Sequence, residues 1–209
     1  MVFLTNALDV AVGIATVLGV GMLVPQALAM ARTRDLSGIS PSWIGGGIAI
    51  NAGWVLYALS VGLWGLLPVS LGALAVYAVM TAMVAKGSAE MLRRALISAV
   101  AIAALFALAA AIGGVEVLGL VIALTYAAQF SPAAWSVLVA EELSGVSRPT
   151  WIMGFGEAVI WATYGAYLGD RALLFGGAGA ALMSAIVLVG LTARPASRDR
   201  RQRVPVNAR

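Results

Sequence analysis

The sequence predicts an all-α integral membrane protein of seven transmembrane helices, laid out as two parallel three-helix bundles joined by an inverting linker helix (3+1+3). Three observations carry that prediction: the hydropathy along the chain, the placement of its basic residues, and an internal repeat. Of 209 residues, 62% are hydrophobic and 11% charged, and mean hydropathy is +0.98; a soluble domain carries about 25% charged residues. A hydrocarbon core about 30 Å thick takes about 20 apolar residues per helix. Seven such stretches run near 8–30, 43–62, 65–85, 95–113, 116–139, 150–168 and 172–192, so little chain is left outside a bilayer.

The first stretch lacks a basic leader and a small-residue cleavage site, so it reads as a permanent helix and not as a cleaved signal. Orientation follows from charge. With the N-terminus outside, Arg32, Arg34, Lys86, Arg93, Arg94, Arg148, Arg194, Arg198, Arg200, Arg201, Arg203 and Arg209 all fall on the cytoplasmic side, and only Arg171 falls outside. Basic residues are retained on the cytoplasmic face, which predicts an odd number of spans in a multi-pass protein of the cell membrane, N-terminus out and C-terminus in. The net charge of +4 is thereby topological, and no nucleic-acid partner is expected. The segment 194–209, with Pro195 and Pro205 among its arginines, reads as a disordered cytoplasmic tail beside the lipid headgroups.

Sliding the chain against itself by 107 residues, without a gap, sets Pro25 on Pro132, Leu36-Ser37-Gly38 on Leu143-Ser144-Gly145 and Ser40 on Ser147. Further on, Trp54 meets Trp161, Tyr57 meets Tyr164, Gly62 meets Gly169, Gly72 meets Gly179, and Asp9 meets Glu116. The matches among Pro, Trp and Tyr count most, because alanine-rich helices resemble one another by composition. Residues 1–88 therefore form a first three-helix repeat, 89–114 a linker helix, and 115–193 a second repeat. Three spans are an odd number, so only an extra crossing keeps the two copies parallel. The linker run from Ala95 to Gly113, nearly all Ala, Ile, Leu and Val, suits a packing element.

The stretches Val24-Pro25-Gln26, Arg34-Asp35-Leu36-Ser37-Gly38-Ile39-Ser40 and Trp54-Val55-Leu56-Tyr57 resemble the SWEET/SemiSWEET and PQ-loop (MtN3/saliva) transporter superfamily, in its seven-helix form. The second copy keeps Pro132, Leu143-Ser144-Gly145-Val146-Ser147 and Trp161-Ala162-Thr163-Tyr164-Gly165, with Ala133 in place of the glutamine. The likeness covers both three-helix units, about three quarters of the chain. It implies alternating access, with solute held near the midplane between parallel repeats. Sugar carriers of this kind place an asparagine early in the third helix of each unit; the matching positions here are Ser70 and Gly177. A second proline, at the start of helices two and six, falls on Ser40 and Ser147 by register, with Pro41 and Pro149 close by.

The residues themselves supply candidate roles. Pro25 and Pro132 lie within apolar stretches, where proline removes a backbone bond and bends a helix; they read as a paired hinge or as static kinks, with Gln26 beside the first. Trp54 and Trp161 fall mid-helix, where they either pack or face a shared cavity and stack on a sugar ring. Tyr57 and Tyr164 follow three residues on, as an outer gate or as part of the interfacial aromatic belt. Glu157 is the one acid well inside a span and shares a helical face with Trp161, while Asn51 precedes Trp54 on the matching helix. Both are candidates for the solute site, Glu157 also for a proton, or for a hydrogen bond between helices. Asp170 and Arg171 form an outer charged turn, either a gate or a solvated corner.

With no cysteine and no histidine, disulfides, thiol redox work, imidazole metal sites and histidine acid/base catalysis are excluded. The single lysine, Lys86, sits in a loop, which removes a retinal Schiff base, and no phosphate-cradling Gly-Lys loop is present. No enzyme activity, metal or cofactor is expected. The favoured reading is a facilitator for a mono- or disaccharide. The alternatives are amino acids or other metabolites, with proton coupling in reserve, or a non-transporting receptor or scaffold. Glycines at Gly45-Gly46-Gly47 and Gly176-Gly177 would allow close contact within one chain or in a homo-oligomer.

Overall fold

A computed structural model describes residues 2–34, 36, 39–139 and 146–193. The expected basic tail, the Leu143-Ser144-Gly145 motif, and Asp35, Ser37 and Gly38 lie outside the described residues. What is described is helical almost throughout: α1 (Val2–Gly21), α2 (Val24–Thr33), α3 (Pro41–Val61), a 3₁₀ turn (Trp64–Leu66), α4 (Leu67–Gly87), α5 (Ala89–Gln129), α6 (Ser131–Val139), α7 (Arg148–Leu168) and α8 (Arg171–Ala193).

The helix boundaries follow local chemistry. Ser40 begins α3 by accepting a hydrogen bond from the Trp43 amide at 3.3 Å, with Pro41 in the first turn, where a missing N–H costs nothing. Ser147 precedes α7 in the same way, without a capping hydrogen bond, and Pro149 is the second residue of that helix. Both helices stop at a glycine with positive φ, Gly62 at 75° and Gly169 at 70°, a conformation that side chains with a Cβ adopt at a cost. Ser88 caps α5 by accepting from the Met91 amide at 3.2 Å.

Five helical stretches among the described residues are long and apolar enough to cross a membrane: Ala7–Thr33, Pro41–Val61, Trp64–Gly87, Ala89–Val139 and Arg171–Ala193. The chain is a multi-pass, all-α membrane protein. α7 covers the predicted span at 150–168 but falls outside this group, since Arg148, Glu157 and its glycines lower its hydropathy. The stretches predicted at 95–113 and 116–139 lie within one run, Ala89–Val139. Its backbone breaks at Gly113 (φ −136°, ψ 19°) and Gly114 (φ 63°, ψ −155°), leaving rods at 89–112 and 115–129.

The proline positions need a correction. Neither proline interrupts a continuous rod. α1 ends in a turn at Met22–Leu23, and Pro25 opens the next helix; Phe130 forms the corresponding turn, and Pro132 stands at the second position of α6. The break precedes each proline by about two residues, and the ring sits where the N–H is free in any helix.

Lipid tails supply no hydrophobic drive for helices to associate, so contact rests on close van der Waals packing. α7 on α8, α3 on α5, α5 on α8, α3 on α4 and α1 on α7 are the main interfaces, and glycines let several of them close. A Cβ on Gly45 would lie 2.8 Å from the Ala95 carbonyl carbon, one on Gly165 2.8 Å from the Leu173 carbonyl carbon, and one on Gly177 2.7 Å from the Ala158 oxygen. Gly45→Val should destabilise the protein by about 1–3 kcal/mol through overpacking against a backbone that cannot yield, seen as a lower unfolding midpoint in detergent.

Candidate functional site

α3, α4, α5, α7 and α8 meet around one small cavity of about 40 Å³, room for a few water molecules. Its walls are Asn51, Trp54, Leu66, Val69, Ser70, Tyr126, Glu157, Trp161, Leu173 and Gly177. All five side chains singled out in the sequence for a solute site, Asn51, Trp54, Ser70, Glu157 and Trp161, stand on it. Three pairs of lining residues are repeat mates: Trp54 with Trp161, Leu66 with Leu173, and Ser70 with Gly177. Positions 107 residues apart in the sequence thus line one cavity.

The polar groups are few and aimed. The Asn51 amide nitrogen donates to the Gly47 carbonyl at 2.8 Å, which fixes the side chain against its own helix. The Trp161 indole donates to Glu157 Oε1 at 3.2 Å, one turn apart on α7. Glu157 is 5% exposed and Ser70 1%. Trp54 sets its edge to Tyr57 at 5.9 Å and 76°, and Trp161 does the same to Tyr164 at 6.0 Å and 71°, so each tryptophan is held by the tyrosine three residues on, in favourable T-shaped pairs.

At the predicted outer end, the Tyr57 hydroxyl donates to Asp170 Oδ2 at 2.7 Å, and Asp170 Oδ1 accepts from the Leu173 amide at 2.8 Å. Asp170 thus ties α3 to the start of α8. It forms no ion pair with Arg171, which is exposed; among the described residues the ion pairs join Glu90 to Arg93 and Arg94. The acid of the outer turn is engaged by a phenol from the other repeat, not by its neighbouring arginine. Tyr164 lies near Gly65 and Val12 lines the same spot. Tyr57→Phe should destabilise the protein by about 1.5 kcal/mol through loss of a hydrogen bond to a carboxylate, seen as a lower unfolding midpoint in detergent.

Beyond the cavity in the other direction, Gln129 Nε2 donates to the Tyr77 hydroxyl at 3.4 Å, and Trp43 meets the Tyr77 ring at 5.2 Å. Tyr126, Phe130 and Trp151 continue as an edge-to-face series at 5.2 and 5.8 Å. Pro25, Gln26 and Pro132 are exposed and off the cavity wall. Sequence reasoning passed over Tyr126, Gln129 and Gly19. A Cβ on Gly19 would come 2.7 Å from Glu157 Cδ and 2.9 Å from a Val69 methyl. Their signal lay in the repeat mismatches, since Tyr126 falls on Gly19.

The chain superposes on a solved structure of a eukaryotic SWEET transporter with a TM-score of 0.66 over 90% of this chain and 98% of that one, at 15% sequence identity. No protein-family profile matches the sequence, and no curated protein does. The fold of this protein is the SWEET fold.

Proposed function

We propose that the protein is a transporter that moves a small polar solute by alternating access between two three-helix bundles, with a sugar as the favoured solute. α1 with α2, α3 and α4 form the first bundle, within residues 1–88. The rod at 89–112 is the inverting linker, and 115–139, α7 and α8 form the second bundle, within residues 115–193. Counted this way, with α5 and α6 crossing twice, the chain has seven spans, its N-terminus outside the cell membrane and its arginine-rich tail, residues 194–209, inside.

The observation that carries the reading is the small cavity walled by a matched pair of tryptophans, Trp54 and Trp161. The indoles offer flat apolar faces to a sugar ring, while Ser70, Asn51 and Glu157 offer hydrogen-bonding groups to its hydroxyls. At about 40 Å³ the space is well below that of a ligand-filled pocket, which suits a carrier closed between its two open forms. The breaks before Pro25 and Pro132 give each bundle a matched place to bend. Tyr57 with Asp170 serves as the outer gate, and Tyr164 covers the matching spot, with Arg171 exposed beside it.

Counterflow of labelled mono- and disaccharides and of amino acids into proteoliposomes tests this. Exchange of a sugar above that of empty vesicles is expected. Exchange of amino acids alone would replace the solute and keep the mechanism, whereas no exchange of any solute by inserted, folded protein would favour a receptor or scaffold.

A further inference from the structure

Among the described residues, one buried side-chain polar atom has no hydrogen-bond partner, the hydroxyl oxygen of Ser184 on α8. The residue is 0% exposed. Hydroxyls elsewhere in the helices donate to a carbonyl one turn back, as Thr16 does to Val12, Ser60 to Leu56, Thr125 to Val121 and Thr163 to Val159. Inside a bilayer no bulk water replaces a missing partner, and a bare buried hydroxyl is costly. A group left in that state calls for a reason.

Its place in the fold supplies one. Ser184 follows Gly177 by seven residues, two turns along the same face of α8 and about 10 Å further from Asp170. Gly177 lines the cavity, so Ser184 stands beyond the cavity wall, toward the end where Tyr77 and Gln129 meet. By the repeat, Ser184 matches Tyr77, Gly154 matches Gly47, and Met22 matches Gln129. On one side the Tyr77 ring packs over Gly47, where a Cβ would come 2.6 Å from Tyr77 Cε2, and its hydroxyl accepts from Gln129. On the other side the small Ser184 leaves Gly154 uncovered. A Cβ on Gly154 would make ordinary contacts, 3.5 Å from Met22 Cε and 3.7 Å from Ser184 Oγ. Met22, in the turn between α1 and α2, thus brings its thioether end to the same space over Gly154 that the Ser184 hydroxyl faces. One half of this end is latched by a hydrogen bond, and the other is covered by a flexible, unbranched side chain over a free hydroxyl.

We propose that Ser184 and Gly154 form a second solute site at the inner mouth, covered by Met22 in the closed form, which takes a hydroxyl or amide group of a neutral polar solute once the bundles part there; this rests on the transporter reading above. Ser184 can both donate and accept, and Gly154 leaves its hydroxyl open to approach. The matching place on the first side cannot serve in this way, because the Tyr77 ring fills the space over Gly47.

Two measurements test it. Cysteine is close to serine in size, and the chain has no cysteine of its own. In proteoliposomes, a charged, impermeant thiol reagent should modify Ser184→Cys from the face of the C-terminus only, and several-fold faster when Met22→Ala removes the cover. Folded Ser184→Cys protein that stays unmodified from that face overturns the proposal, whether or not any solute moves. With the solute identified by counterflow, Ser184→Ala should raise the half-saturating concentration for exchange about fivefold, the worth of one hydrogen bond between neutral groups. Gly154→Ala should act in the same direction. The unfolding midpoint of Ser184→Ala should stay level or rise, since its hydroxyl has no partner to lose; a purely structural serine would move the midpoint and leave the half-saturation alone. Unchanged half-saturation with exchange intact overturns the second site and leaves the carrier standing. Modification without exchange of any solute overturns the transporter reading, and the site with it.

Discussion

Replacing Gly19 with valine will cost the protein about 1–3 kcal/mol of stability, and much of that loss will disappear when Glu157 is shortened to alanine. The first figure is the ordinary penalty for adding methyl groups where packing is closed. Here the obstruction is a carboxyl carbon 2.7 Å and a Val69 methyl 2.9 Å from the position a Cβ would take. The recovery follows because the larger part of the clash is with one side chain. Neighbours that share space show coupling of about 0.5–3 kcal/mol in double-mutant cycles. Unfolding midpoints of the two single variants and the double variant, measured in one detergent, give that coupling. Additive losses would mean that Gly19 and Glu157 do not share the space the structure gives them.

Trp54→Phe and Trp161→Phe will both slow solute exchange, and the second will slow it more. Phenylalanine keeps an apolar ring in place and avoids the cavity that alanine would leave, a defect costing about 3–5 kcal/mol by itself. Each change narrows the flat surface offered to the solute. Trp161→Phe also removes the indole donor to Glu157 Oε1, and leaving a buried acceptor without its partner costs about 1–3 kcal/mol. Exchange rates should therefore fall several-fold for Trp54→Phe and by about a further fivefold or more for Trp161→Phe. Equal losses would mean that the hydrogen bond to Glu157 adds nothing to what the two indole faces supply alike.

The membrane class of the fold was legible in sequence because hydropathy and repetition are global patterns, insensitive to the placement of any one side chain. The residues around the cavity were legible where they were rare and repeated, as with Trp54 and Trp161, or costly to bury, as with Glu157. Tyr126 and Gly19 were not, because a register search rewards agreement, and their meaning lies in being unlike each other. The partner of Asp170 was not legible for a similar reason. The hydroxyl that reaches its carboxylate comes from Tyr57, 113 residues away, where no local pattern points. The prolines misled by about two residues, since proline prefers to stand in the first turn of a helix after a break over sitting within a bend.

Closure at two ends is the core of the carrier account. In this cysteine-free chain, one variant would carry Tyr57→Cys with Asp170→Cys at the outer end, and another Tyr77→Cys with Gln129→Cys at the inner end. Cross-linking rates at both ends would be followed with and without solute, together with exchange in proteoliposomes. The account predicts that solute changes the two rates in opposite directions and that either cross-link stops exchange until it is reduced. Ends that open together, or exchange that continues through a cross-linked outer end, would contradict alternating access.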